Sequence, residues 1–189
     1  MRYAMAIDTK KCVGCSDCVV ACQTENFVPI GSSRDWIVEE VNGRFPKLRM
    51  ELRSERCNHC KNAPCVRTCP TGSSHYSDGG IILTIPEKCI GCGACVISCP
   101  YDARYRHTEG YIDKCSFCHH RVTQGLPTAC EAVCPTYCII FGDLNDPESE
   151  ISKVLQTREY KTLIPHAGTE PQHFFLIRKI SESCEKSLS

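Results

Sequence analysis

The most reactive residues in this chain are its cysteines, of which there are 18 among 189 residues. Most of them stand two to four residues apart, a spacing that brings several thiolates onto one loop. Four groups of four are, in chain order, Cys12, Cys15, Cys18, Cys22; Cys57, Cys60, Cys65, Cys69; Cys89, Cys92, Cys95, Cys99; and Cys115, Cys118, Cys130, Cys134. Thiolates at such spacing are typical ligands of iron–sulfur clusters.

The spacing of the third group matches the run C-x-x-C-x-x-C-x-x-x-C-P of two-cluster bacterial ferredoxins, with Pro100 at its end. The first group has Gln23 in place of that proline, and the other two groups have a longer gap before their third cysteine. Glycines such as Gly14 and Gly91 let the loop backbone take positive φ close to a cluster. The fourth cysteine follows the third by one helical turn, and in such ferredoxins it binds the other cluster.

Because the fourth cysteine of each group is expected to bind the cluster of another group, the spacing predicts which two groups form a unit. Groups two and three are joined by the short segment 71–88, so they form one two-cluster unit, and groups one and four are left to form another. The predicted ligand sets are Cys12, Cys15, Cys18 and Cys134 for cluster 1; Cys22, Cys115, Cys118 and Cys130 for cluster 2; Cys57, Cys60, Cys65 and Cys99 for cluster 3; and Cys69, Cys89, Cys92 and Cys95 for cluster 4. These cysteines would ligate the iron of four 4Fe–4S clusters.

The elements that must position these thiols indicate an α+β fold of two units like bacterial ferredoxins, one inserted in the other, with a β-hairpin insertion and a C-terminal extension. The predicted segments are 1–28 and 101–142 for the outer unit, 29–52 for the hairpin, 53–100 for the inner unit and 143–189 for the extension. We expect the extension to contain a helix over 151–157 and a strand within 168–177, and to dock on partners.

The hairpin is predicted from two β-prone runs, 35–41 and 48–52, with Asn42-Gly43 as the turn between them. Pro46 indicates a longer and less regular return. Its expected role is a lid that shields a cluster from water.

Zinc binding and a disulfide framework are the other uses of clustered cysteines. Zinc sites share C-x-x-C pairs, but they need neither a third cysteine two residues on nor a following proline. A disulfide framework suits a secreted chain, whereas the first cysteine group begins too early to leave room for a signal peptide. Radical enzymes leave one iron open by supplying three cysteines. Because every set here has four, and no acid–base constellation is apparent, the pattern favours electron transfer over catalysis.

A basic residue precedes the first cysteine of every group: Lys11, Arg56, Lys88 and Lys114. One interpretation is solvated surface charge. The other is partial neutralisation of anionic clusters, which would raise their reduction potentials.

Two cysteines lie outside the four sets, and three histidines lie close to the cysteines in sequence. Cys138 begins an apolar run and is predicted to be a small core residue, and Cys184 lies in a polar tail. His59, His119 and His120 lie in the cluster loops, where we expect packing or hydrogen bonding because the cysteine sets are already complete.

Composition and hydropathy argue against nucleic-acid binding and against a direct membrane span. Lys+Arg and Asp+Glu both number 22, so the chain lacks the basic excess of a nucleic-acid-binding protein. It also lacks an apolar stretch of the ~18 residues needed for a direct membrane span.

The sequence resembles the iron–sulfur subunits of the molybdopterin oxidoreductase (dimethyl sulfoxide reductase) family. The resemblance covers nearly the whole chain and includes C-N-H-C-K-N-A-P-C at 57–65, D-K-C-S-F-C at 113–118, F-G-D-L-N-D-P-E-S at 141–149 and G-T-E-P at 168–171. It is most similar to the polysulfide or thiosulfate reductase type. The arsenate reductase type usually carries an insertion between groups three and four, where this chain has only 15 residues.

This resemblance implies an electron-transport role in anaerobic respiration, between a molybdopterin-containing catalytic subunit and an integral membrane subunit that reacts with quinone. The outer-unit clusters would lie nearer molybdenum and the inner-unit clusters nearer the membrane. Relatives with a 3Fe–4S cluster replace the second cysteine of group three, which this chain keeps as Cys92, so four 4Fe–4S clusters are expected.

The same resemblance implies a peripheral position in a membrane-bound complex. Export alongside a partner that carries a twin-arginine signal favours the periplasmic face, although the cytoplasmic face is equally consistent with this chain. The alternative function is a polyferredoxin-like carrier for a hydrogenase, formate dehydrogenase or carbon monoxide dehydrogenase. The segment after Cys138 favours the first function, because a diffusing carrier has no evident use for it.

Overall fold

The computed structural model describes residues 1–177. Within that range the strands are β1 (Tyr3–Asp8), β2 (Asp35–Arg44), β3 (Lys47–Arg56), β4 (Ser74–Tyr76), β5 (Ile82–Thr84), β6 (Tyr105–Arg106), β7 (Ile112–Asp113), β8 (Ile139–Asp143), β9 (Tyr160–Lys161) and β10 (His173–Leu176). The α-helices are α1 (Asp17–Glu25), α2 (Pro64–Arg67), α3 (Ala94–Ile97), α4 (His119–Val122), α5 (Ala129–Ala132) and α6 (Glu150–Thr157). None of these helices is both long and apolar enough to cross a membrane.

The central sheet has the order β8-β1-β10-β9, so it joins both ends of the described chain. Strand β1 pairs antiparallel with β8 and parallel with β10. Its side chains alternate between two apolar layers, as a strand buried on both faces requires. Met5 and Ile7 face the cysteine-rich core, whereas Ala4 and Ala6 pack with Ile151 of α6 on the opposite face. The sheet therefore separates the cluster-binding loops from helix α6.

The C-terminal extension is partly built into this sheet. Helix α6 covers the predicted helix at 151–157, and its N-terminus is capped by Ser149, whose Oγ accepts a hydrogen bond from the Ser152 N–H at 3.3 Å. Strand β10 lies within the predicted strand, and Phe175 and Leu176 are completely buried. The described part of the extension is thus a structural component of the core, in addition to any docking role.

The long hairpin is formed by β2 and β3, and its turn differs from the prediction. Asn42 pairs with Arg49 and Gly43 pairs with Leu48, so the predicted Asn-Gly turn is wrong and the loop lies at residues 45–46. Proline cannot donate to the ladder and is favoured in the turn. Gly43 serves a different purpose, because a Cβ there would clash with the Lys47 carbonyl oxygen.

Short elements carry the inner cysteine groups. Strand β5 pairs with β4 within the segment 71–88 that joins groups two and three. Helices α2, α3 and α5 each have four residues and contain the third cysteine of groups two, three and four, whereas α1 is longer and carries both Cys18 and Cys22. The fourth cysteine of each of the last three groups follows its helix and stands before a proline.

Candidate iron–sulfur centres

The thiols of the described chain are not paired with one another. All 17 cysteines among residues 1–177 are free, whereas Cys184 lies outside the described residues. Within the same range, no three His, Cys, Asp or Glu side chains converge closely enough to hold a single metal ion. A zinc ion needs its thiolates about 2.3 Å from one point. The described thiols are therefore spread more widely than the ligands of one zinc ion. Below, sites 1 to 4 denote the predicted ligand sets of clusters 1 to 4.

Site 2 is an enclosed cavity lined by all four of its predicted cysteines, Cys22, Cys115, Cys118 and Cys130. All four are buried. Burial raises the pKa of Cys115 to about 12 and raises that of Cys22 further, with neighbouring thiols adding to the effect. Thiolates in this cavity therefore need a positively charged partner, which the iron of a cluster would supply.

Site 4 is a second cavity, lined by Cys69, Cys89, Cys92 and Cys95. Like the site 2 cavity, it is small and is lined by all four cysteines of one predicted set. Two buried polar atoms on its lining residues, Arg104 Nη1 and Thr84 Oγ1, have no hydrogen-bond partner within residues 1–177. An anionic cluster with sulfide acceptors fits this set of thiols and unpaired donors.

Site 3 brings together Cys57, Cys60, Cys65 and Cys99. Burial raises the pKa of Cys60 to about 12, and the thiols of Cys57, Cys65 and Cys99 each raise it as well, which shows that all four lie close together. The C-terminal extension supports this site. Backbone N–H groups of residues 61 and 62 donate to the carbonyls of residues 170 and 169, at 2.9 and 3.0 Å.

Site 1 includes a fifth thiol beside its four predicted cysteines. Cys138 Sγ lies 3.4 Å from Cys134 Sγ, and a hydrogen bond from Cys138 lowers the pKa of Cys12 to about 6. Cys138 is buried, as predicted for a core residue, but it contacts two predicted ligands, which the apolar run around it did not indicate. Cys18 is buried, with its thiol 3.5 Å from Ser54 Oγ, and Cys15 is exposed.

Backbone N–H groups point at several of these sulfurs. The donors are Phe117 to Cys115 and Ile112 to Cys89, both at 3.4 Å, Ser74 to Cys69 at 3.4 Å, and Ala129 to Cys118 at 3.5 Å. Such hydrogen bonds favour the thiolate form of a ligand. Gly91 illustrates the loop geometry, because it has φ +64° and its missing Cβ would lie 2.6 Å from the Gly110 carbonyl oxygen.

The four sites follow one another in the order 1-2-3-4. Burial raises the pKa of Cys18, Cys115 and Cys95, and in each case a thiol of a neighbouring site raises it further. Cys130 of site 2 acts on Cys18 of site 1. Cys57 of site 3 acts on Cys115 of site 2, and Cys65 of site 3 acts on Cys95 of site 4.

The basic residues before the cysteine groups divide into two kinds. Arg56 and Lys114 are buried in the core, whereas Lys11 and Lys88 are exposed. The neutralisation interpretation thus retains structural support at two of the four positions. A third buried cation, Arg104, was missed from the sequence, although an arginine in the short segment after Cys-Pro was a usable signal.

The three loop histidines pack and form hydrogen bonds as predicted. His59 Nδ1 accepts a hydrogen bond from the Ile82 N–H at 3.0 Å, and its ring stacks on Phe117 at a centroid distance of 3.7 Å. Its buried Nε2 therefore carries the proton of the neutral ring and has no partner within the described residues. His119 contacts Ser77 at 3.3 Å and His120 contacts Glu25 at 2.7 Å, so neither faces a ligand set.

Comparisons with known proteins agree with this chemistry. Residues 48–144 match a family model described as a 4Fe–4S dicluster domain, and residues 11–73 match a second model of the same description. A tetrathionate reductase subunit of Salmonella typhimurium (strain LT2) is 41% identical over 180 residues, which cover 93% of this chain and 72% of that protein. Protein NrfC of Escherichia coli (strain K12) is 40% identical over 189 residues, covering 96% and 83% of the two chains.

A third relative is the arsenate respiratory reductase iron–sulfur subunit ArrB of Shewanella sp. (strain ANA-3). It is 32% identical over 225 residues, which cover 93% of this chain and 96% of that protein. The chain therefore belongs to the 4Fe–4S dicluster proteins and, among them, to the iron–sulfur subunits of the molybdopterin oxidoreductase family.

Proposed function

We propose that this chain is the electron-transfer subunit of a respiratory reductase of polysulfide or thiosulfate type and is not itself catalytic. It would hold four 4Fe–4S clusters in sites 1 to 4, with the inner unit (53–100) inserted in the outer unit. The clusters would supply one-electron oxidation and reduction. The protein supplies the ligand thiols, the dry surroundings and the surfaces for a molybdopterin-containing catalytic subunit and a membrane quinone-reactive subunit.

The gradient of thiol exposure is the observation that carries this proposal. Cys15 of site 1 and Cys92 of site 4 are exposed, whereas all four thiols of site 2 and three of the four in site 3 are buried. A relay between two partners needs clusters near the surface at both ends and protected clusters between them. The exposed thiols belong to the first and the last site of the order 1-2-3-4, as a relay requires.

Exposed apolar side chains accompany the exposed thiol at each end. Val13 and Ile90 occupy the same position in groups one and three, directly after the first cysteine, and they are 58% and 69% exposed. Val20 and Phe27 line a groove of about 830 Å³ along α1, the helix that carries Cys18 of site 1 and Cys22 of site 2. Near site 4, Ile97 is 89% exposed. Exposed apolar patches of this kind mark protein–protein contacts, so we assign the site 1 surface to the catalytic subunit and the site 4 surface to the membrane subunit.

The relatives support the proposed partner type. Identity to the tetrathionate reductase subunit, at 41%, exceeds identity to the arsenate reductase subunit, at 32%, which favours a sulfur compound as terminal substrate. We further propose a peripheral position on the periplasmic face of the membrane, reached by export together with the catalytic subunit.

Anaerobic affinity purification of the full chain from its native cells tests the proposal. We expect a complex that contains molybdenum and four one-electron iron–sulfur signals, and that oxidises a quinol analogue when polysulfide or thiosulfate is supplied. Recovery of the chain as a monomer without molybdenum would instead support the polyferredoxin-like carrier. Fewer than four signals from the intact chain would refute the proposed set of clusters.

A further inference from the structure

Three positively charged side chains lie inside the cysteine-rich core. Arg56 is 1%, Lys114 2% and Arg104 5% exposed. Burying a cation is costly unless opposite charge lies close by. The partners of these three residues therefore indicate which anionic groups the core is built to hold.

Arg104 joins site 3 to site 4. Its Nη2 donates to Cys65 Sγ of site 3 at 3.1 Å and to Ser74 Oγ at 2.7 Å. Arg104 also lines the cavity of site 4, together with Cys95. Its Nη1 has no partner within residues 1–177. The guanidinium is thus shared by two successive ligand sets and is incompletely paired by the protein alone.

Lys114 occupies the corresponding position between site 2 and site 3. Its Nζ donates to the carbonyl oxygens of Ile82 and Cys115, the second at 2.6 Å. Cys115 belongs to site 2, and the Ile82 N–H donates to His59, which lies between Cys57 and Cys60 of site 3. Within the described residues, no carboxylate forms an ion pair with Lys114 or with Arg104.

The junction between site 1 and site 2 is different. Arg56 Nη1 donates to Cys130 Sγ of site 2 at 2.8 Å, but its Nη2 forms an ion pair with Asp35 at 3.0 Å. That pair carries no net charge. Two of these three buried cations therefore have no carboxylate partner among the described residues. They are Lys114, between sites 2 and 3, and Arg104, between sites 3 and 4.

We propose that Lys114 and Arg104 set the reduction potentials of the clusters on either side of them, Lys114 for clusters 2 and 3 and Arg104 for clusters 3 and 4. This inference rests on the proposed four-cluster function. A reduced cluster carries one more negative charge than an oxidised one, so a fixed cation beside it favours reduction and raises the potential. Because the cations are buried, salt screens them little. Cluster 3 borders both residues and responds to both.

Redox titration of the full chain in its complex, followed by EPR, tests this inference. Lys114→Met and Arg104→Met remove one charge each. We expect each variant to shift the reduction equilibrium of two clusters about tenfold toward the oxidised form, a fall of ~59 mV in potential. One of the shifted signals is the same in both variants, because site 3 borders both residues. This pattern needs no prior assignment of the signals.

Lys88→Met is the matched control, since Lys88 also precedes the first cysteine of a group but is exposed. We expect Lys88→Met to shift every cluster potential much less than Lys114→Met or Arg104→Met does. Arg104→Lys keeps the charge and should leave the potentials of clusters 3 and 4 close to their wild-type values, which a purely structural role would not predict. Unchanged potentials in variants with normal iron content, or equal shifts of all four signals, overturn the inference.

If Lys114→Met fails to load iron, the two Arg104 variants test the inference through the potentials of clusters 3 and 4. A wild-type chain that lacks four one-electron signals contradicts the proposed function instead of this inference.

Discussion

Asp35 and Arg56 form a buried ion pair, with a distance of 3.0 Å between Oδ2 and Nη2, at the base of the hairpin. The two residues are also paired in the register of β2 and β3, and both side chains are nearly inaccessible to solvent. Arg56 reaches from this pair to Cys130, while Asp35 lies beside Ser54, whose Oγ is 3.5 Å from Cys18 Sγ. The hairpin is therefore tied to sites 1 and 2 by buried polar contacts.

We expect Arg56→Met to be more destabilising than Asp35→Asn. The first change leaves a buried carboxylate among thiolates, which costs about 3–5 kcal/mol and lowers the melting temperature of the loaded chain by roughly 6 °C or more. The second leaves a guanidinium that Cys130 still stabilises, so we expect a loss of about 1–3 kcal/mol. Anaerobic thermal unfolding followed by circular dichroism measures both. A larger loss for Asp35→Asn would contradict this assignment of the pair.

Cys99→Ser tests the exchange of fourth cysteines between groups. If Cys99 binds cluster 3, the variant perturbs the same EPR signal as Cys60→Ser and leaves the signal affected by Cys92→Ser unchanged. The physical reason is that Cys60 and Cys99 lie together in site 3, whereas Cys92 lines the site 4 cavity. Perturbation of the signal that Cys92→Ser affects, without that of Cys60→Ser, would show that each group binds its own cluster.

Cys138→Ala is expected to keep the iron content of the wild-type chain. Cys138 contacts Cys134 and Cys12 through its thiol, but site 1 already has four predicted ligands. The S–H group is a weak donor, so its loss should lower the potential of one cluster by less than the ~59 mV that corresponds to a tenfold change. Iron analysis and redox titration measure the two effects. Loss of a cluster would show that Cys138 is itself a ligand.

One charge introduced at each exposed end should weaken the binding of one proposed partner and leave the binding of the other unchanged. On the proposed assignment of partners, we expect Ile97→Glu to weaken binding of the proposed membrane subunit about tenfold or more. Val20→Glu should weaken binding of the proposed catalytic subunit similarly, because a charge is poorly tolerated in the apolar centre of an interface. Each variant should retain its other partner and its iron. Met50→Glu, on the exposed part of the hairpin, is the control. Pull-down of both partners from native membranes measures the outcome, and equal loss of both would refute the assignment of ends.

Local features were predictable because they depend on contacts over a few residues. Cysteines three or four positions apart must lie on one loop or one helical turn, and the short helix predicted at 151–157 lies within α6. The hairpin turn shows the limit of local reasoning. Asn42-Gly43 is a strong turn signal, yet both residues are within the ladder, where the close approach of Lys47 explains the glycine.

The amino-acid sequence by itself determined the kind of chemistry, because the four cysteine groups have the spacing of iron–sulfur ligands. Tertiary structure decided which charges surround them. Arg104 meets Cys65 across 39 positions of sequence and Asp35 meets Arg56 across 21, and neither contact has a local signature. Arg56 and Lys88 occupy equivalent positions before a cysteine, yet one is buried and the other exposed. Burial is a property of the packed segments around a residue, so the electrostatics of the relay became visible only in the folded chain.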